Sequence, residues 1–126
     1  PAVADRIAAA LDAFERWFGA SHPKKAQALN TYGIFCKMTG DLEGAQAAYE
    51  AAMAINVAAF GPRHIEVAEN HANLAAVAAA SGNRREARVL LSRAIGVAEE
   101  VFGTAAAARV KTDVWVARVE EALANK

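Results

Sequence analysis

The side chains in this sequence that could carry chemistry are three histidines, one cysteine, a few adjacent carboxylates and one arginine cluster. Histidine is the usual metal ligand and acid–base group near neutral pH. His64 and His71 stand seven residues apart, whereas two ligands on one helical face sit three or four apart, as in H-E-x-x-H. His22 and His64 precede helical stretches at equivalent places, which points to a role in starting those helices. Cys36 has Lys37 beside it and no CxxC partner, so a core thiol is expected rather than a nucleophile. Neither GxGxxG nor GxxxxGK[ST] occurs, so no glycine loop is built for phosphate. Glu99-Glu100 and Glu120-Glu121 fall at helix ends among other charges and read as solvated surface. Arg84, Arg85 and Arg88 open a helix against its dipole and read as a solvated turn, with a phosphate or acidic partner as the alternative. Neither a catalytic centre, a cofactor nor a metal is expected.

The elements that position these residues follow from an internal repeat of 42 residues. Phe18-Gly19, Phe60-Gly61 and Phe102-Gly103 recur at that interval, as do Gly40-Asp41 and Gly82-Asn83. His22 and His64 share a column, as do Ala45 and Ala87, then Ala10, Ala52 and Ala94. Ile7, Tyr49 and Leu91 form another column, and Leu11, Met53 and Ile95 one more. A fixed period of this length is the signature of stacked supersecondary units.

Within each period the apolar spacing is helical: Ala45, Tyr49, Ala52, Met53 and Phe60 follow three- and four-residue steps or their multiples. Gly40 can end a helix in a left-handed cap, and Asp41 can start the next. Asn83 with Glu86 three residues on resembles a capping box. Pro62 after Phe60-Gly61 stops the helix before it. Six helices are predicted, at 2–18, 24–39, 42–60, 65–81, 84–102 and 105–124. Short turns make neighbours antiparallel, so the unit is a helical hairpin.

Composition agrees. The chain has 126 residues, of which 34 are alanine, the best helix former. Only three prolines occur, and no β-branched stretch alternates with period two, which argues against a sheet. Fourteen basic residues balance fourteen acidic ones, so no net field favours nucleic acid or an anionic membrane. No apolar run reaches the ~20 residues of a membrane span. A lone cysteine suits a reducing compartment. Pro1 in place of an initiator is what a processed or excised piece would show.

These columns resemble the tetratricopeptide repeat, in the 42-residue variety of kinesin light chain. Asn73-Leu74-Ala75, Gly82, Ala87, Leu91 and Ala94 match one copy, and Asn30-Thr31-Tyr32-Gly33, Gly40, Ala45, Tyr49 and Ala52 the copy before. Phe60-Gly61-Pro62-Arg63-His64 looks like the light-chain linker, and Phe18-Gly19-Ala20-Ser21-His22-Pro23 a looser version. Thr104-Ala105-Ala106-Ala107 departs from Pro-x-His, and Trp115 occupies the Asn73 column.

The resemblance implies an all-α fold, an α-α superhelix or solenoid of antiparallel hairpins. One domain would span 1–126, with 1–19 a half repeat, 20–61 and 62–103 whole repeats, and 104–126 a half repeat or capping helix. It implies a non-catalytic module that binds a peptide or partner helix in a concave groove lined by the first helix of each hairpin. Carried over by position, that groove takes Gln27, Asn30, Thr31, Ile34 and Lys37, then Glu69, Asn70, Asn73 and Ala76, then Lys111, Trp115 and Arg118. Asparagine pairs with peptide backbone whatever its sequence. Lysine and arginine favour acidic partners, while Ile34 and Trp115 offer apolar contact. Trp17 and Trp115 are expected to pack near the two ends. The partner is a protein or peptide, without nucleic acid or membrane, and the expected location is cytoplasmic. Two alternatives stand beside it: self-association or assembly through exposed end helices, and a regulatory domain of a larger enzyme.

Overall fold

A computed structural model of the chain describes residues 2–19, 22–103 and 106–124. Ala20, Ser21, Thr104 and Ala105 lie outside the described residues, as do the side-chain surroundings of Ile7, Phe14 and Phe18. Among the described residues six helices follow in order: α1 (Ala2–Phe18), α2 (Pro23–Met38), α3 (Leu42–Phe60), α4 (Ile65–Ala80), α5 (Arg84–Phe102) and α6 (Ala106–Ala124). The fold is an all-α helical repeat, with α2 and α4 as first helices of hairpins and α3 and α5 as second helices.

Local chemistry sets the boundaries, twice over. His22 Nδ1 accepts from the Lys24 N–H and His64 Nδ1 from the Glu66 N–H, each at 3.1 Å. Both histidines are extended N-cap residues, so the helix-start role read from their shared column is correct. The second helices use short polar caps instead. Asp41 Oδ1 accepts from the Gly44 N–H at 2.9 Å, and Asn83 Oδ1 from the Glu86 N–H at 3.2 Å. Asn83 and Glu86 do not complete a reciprocal box, because the Asn83 N–H is already donated to the Ala78 carbonyl at 2.9 Å. The Asp41 N–H reaches the Cys36 carbonyl in the same way at 2.8 Å. Gly40 and Gly82, at φ of 86° and 84°, adopt the left-handed turn that lets these six-to-one bonds close. One residue thus stops a helix with its N–H and starts the next with its side chain.

The helices form two compact units, residues 1–62 and 63–126. In the first, α2 buries Ala26, Gly33 and Cys36, and α3 buries Ala45, Ala48, Tyr49 and Ala52. A Cβ at Gly33 would lie 2.6 Å from Tyr49 Cε1, so glycine is what admits the ring against α2. Cys36 is a core thiol, as expected. In the second unit α4 packs on α5, and both touch α6. Ala68, Ala72, Ala94, Ala98 and Trp115 form the core, with Ile65, Leu91 and Val97 at its margin. Small side chains at 45/87 and 52/94 are fully buried, where they permit close backbone approach.

Candidate binding faces

Exposure along α2 is confined to one stripe. Gln27, Thr31, Ile34 and Met38 are exposed at steps of four, three and four residues, which returns to the same side of a helix each time. Asn30 and Lys37 border it, half-buried. The Thr31 hydroxyl donates to the Gln27 carbonyl at 3.1 Å. Ile34 and Met38 are 50% and 82% exposed, so this face offers apolar contact beside an amide and a hydroxyl. All five residues expected here from the sequence reach the surface at least in part. Met38 was not among them, although its spacing of four from Ile34 signals it.

In the second unit the expected residues divide. Glu69 and Asn73 of α4 face Lys111 and Arg118 of α6. Lys111 Nζ pairs with Glu69 Oε1, and Arg118 Nη1 donates to Asn73 Oδ1 at 3.2 Å. Glu69 and Lys111 occupy one repeat column, 42 residues apart, so adjacent first-type helices are stitched by their own would-be contact residues. Asn70, Ala76 and Trp115 are not on this face. They are buried to 0%, 1% and 4% exposure. Trp115 therefore offers no contact to a partner: its indole fills the space left by the small Ala68, Ala72, Ala94 and Ala98. Trp17, expected to pack, is instead 84% exposed.

The remaining chemistry is quiet. His71 is half-buried with an Nδ1 that has no hydrogen-bond partner. Burial, and then the Arg93 charge, lower its pKa from the ordinary 6.5. Arg84, Arg85 and Arg88 are exposed. Among the described residues no three His, Cys, Asp or Glu side chains gather as metal ligands. Among those residues no helix is long and apolar enough to cross a membrane.

Antiparallel hairpins, with His-capped first helices and Asx-capped second helices and buried alanines between them, define a helical-repeat protein. A family model for the tetratricopeptide repeat matches residues 5–56 and again 26–100. The matches cover more than half of the chain, which belongs to the tetratricopeptide repeat family. A comparison with curated proteins finds no match. Repeats of this family mediate protein–protein interaction.

Proposed function

We propose that this chain is a non-catalytic interaction module that holds a peptide or partner helix against its first-type helices, in the groove of a tetratricopeptide stack. The stripe of α2 supports this most. Gln27 and Thr31 supply backbone-reading polar groups, and half of Ile34 and most of Met38 remain exposed as apolar surface. Partner binding reuses exposed helical faces of this kind. In the second unit Lys111 and Arg118 compete between Glu69 and Asn73 and an incoming acidic group, which makes that face the weaker contributor. The kinesin-light-chain-like subtype, with repeats at 20–61 and 62–103, belongs to the same reading and rests on the 42-residue period and the Phe60-Gly61-Pro62-Arg63-His64 string. So do a cytoplasmic location and the exclusion of nucleic acid, which rest on the single thiol and the balanced charge.

The test pairs Ile34→Glu/Met38→Glu with Arg84→Glu/Arg88→Glu, at matched helicity. Partners recovered by the wild type from native extract are purified and titrated against each form. At least tenfold weaker binding by the α2 variant alone is expected. Equal binding by all three forms would refute the α2 face. A second reading, assembly through the end helices, is favoured by the exposure of Val110 and Val114 on α6.

A further inference from the structure

We propose that the outer face of α5 pairs antiparallel with the same face of a second copy of this chain, forming a closed dimer; the inference uses neither the α2 face nor the end helices. Arg85, Val89, Ser92, Gly96 and Glu99 follow one another at steps of four, three, four and three residues and are all exposed, so they share one side of the helix. Arg88 and Glu100 border this stripe and are exposed too. The stripe is polarised, with two arginines near its start, an uncharged middle and two glutamates at its end. Among the described residues Arg85, Arg88 and Glu99 make no ion pair, and Glu100 has the surface pair with Arg63 at 3.3 Å. The other charges of α5, on Arg84, Glu86 and Arg93, lie about a quarter-turn or more to either side. Arg93 is close enough to His71 of α4 to lower its pKa.

Three features of this stripe work against the isolated helix. Arginines in a first turn and glutamates in a last turn both oppose the helix dipole. Gly96 stands mid-helix, where glycine is less favourable than alanine. It has no positive φ, and a Cβ there would meet nothing within 4 Å, so no packing inside the chain requires it. The other second-type helix makes the opposite choice in each column. On α3, Glu43 stands where α5 has Arg85, Gln46 where it has Arg88, Ala54 where it has Gly96, and Val57 and Ala58 where it has Glu99 and Glu100. The repeat therefore does not impose these residues on α5. Glu43, Gln46, Ala54 and Val57 are exposed as well, although three helices follow α3 in the chain, so the openness of this side does not come from where the sequence stops.

An antiparallel second copy offsets each of these costs. With the two-fold axis beside Ser92 and Arg93, Arg85 of one copy meets Glu100 of the other, Arg88 meets Glu99, and Val89 lies over Gly96. Each pairing occurs twice. The midpoints of the three pairs agree to within about 1.5 Å, one residue's rise along a helix. Glycine at the crossing lets a facing side chain and backbone approach closely.

Charge selects this arrangement over others. Parallel pairing would set the arginines against arginines and the glutamates against glutamates, which is disfavoured. A nucleic acid or anionic bilayer laid along the stripe would gain at Arg85 and Arg88 and meet Glu99 and Glu100 at the far end. An acidic peptide would engage the arginines alone and leave Gly96 and Glu99 without a role. A face whose two ends carry opposite charge is complementary to itself reversed, and an isologous contact of that kind closes at two copies. One helix face buries little area, which puts the dimer at the weak end of specific interfaces.

The test exchanges the charges. Arg85→Glu/Arg88→Glu makes the stripe wholly acidic, and Glu99→Arg/Glu100→Arg makes it wholly basic. Both follow the helix dipole, so folding is preserved, and circular dichroism checks it. In sedimentation velocity from about 1 µM to 1 mM the wild type should pass from monomer to dimer and stop there. Each variant alone should self-associate at least tenfold more weakly, and their equimolar mixture should restore the dimer. Gly96→Leu should melt higher at dilute concentration, through better helix propensity, yet dimerise at least tenfold more weakly. A wild type monomeric throughout that range overturns the proposal, as does growth beyond a dimer, undiminished association of any of these variants, or a mixture that stays monomeric while the wild type associates. A monomeric wild type that binds an oligoglutamate peptide, with the binding lost in Arg85→Glu/Arg88→Glu, would assign the arginines to an acidic partner instead. Ile34→Glu/Met38→Glu should dimerise as the wild type does, which separates this result from the fate of the α2 face.

Discussion

At the scale of single residues, Gly33 and His71 carry the sharpest consequences. A methyl group at Gly33 meets the Tyr49 ring well inside van der Waals contact, and that ring is buried at 2% exposure. Gly33→Ala is expected to destabilise by about 1–3 kcal/mol through overpacking, despite the better helix propensity of alanine. A denaturant midpoint equal to or above wild type would show the ring to be more tolerant than its burial implies. His71 gives a pH prediction. Its folded-state pKa lies below the ordinary value because burial, and then Arg93, disfavour the imidazolium. Above about pH 6.5 both folded and unfolded states are neutral at this site and no stability is lost. As pH falls from there through the lowered folded value, the unfolded state binds the proton first and stability drops. Melting temperatures from pH 7.5 to 5 should fall more for the wild type than for His71→Gln.

The helices owe their limits to caps, and the caps alternate in kind. First-type helices α2 and α4 begin at histidine, second-type helices α3 and α5 at Asp41 and Asn83. His64→Ala removes the acceptor for the Glu66 N–H and is expected to cost about 1 kcal/mol, with His64→Asn recovering most of it. Amide exchange at Glu66 reads the effect directly: it should quicken in the alanine variant and not in the asparagine one. The Glu69–Lys111 pair contributes less, because both side chains are about two-fifths exposed and such pairs are worth only ~0.2–1 kcal/mol. Its effect is to occupy the polar groups of α4 and α6 with each other.

For the whole molecule, the two tryptophans report on opposite environments. Trp17 is exposed and Trp115 is sealed in the core of the second unit. Trp17→Phe should leave a blue-shifted emission resistant to acrylamide, and Trp115→Phe a red-shifted, readily quenched one. Similar quenching of both variants would mean that Trp115 is not held as described.

The helix boundaries were legible in the sequence because they are set within a few residues. A histidine two positions before an N–H, an Asx three before one, and a glycine after the last turn act locally, and the 42-residue period states each signal more than once. The alanine columns were legible for a related reason: a position needing close approach in one hairpin needs it in the next. The face of each first-type helix was not. Thr31, Asn73 and Trp115 occupy one column, yet the first is exposed, the second half-buried and bonded to Arg118, the third buried. Likewise Ala68 is covered where its equivalent Val110 is open. Sequence fixed which side of the helix each residue occupies, since 3.6 residues per turn follows from the backbone alone. What lies against that side depends on which neighbour the tertiary structure brings there, and no periodicity within the helix encodes it.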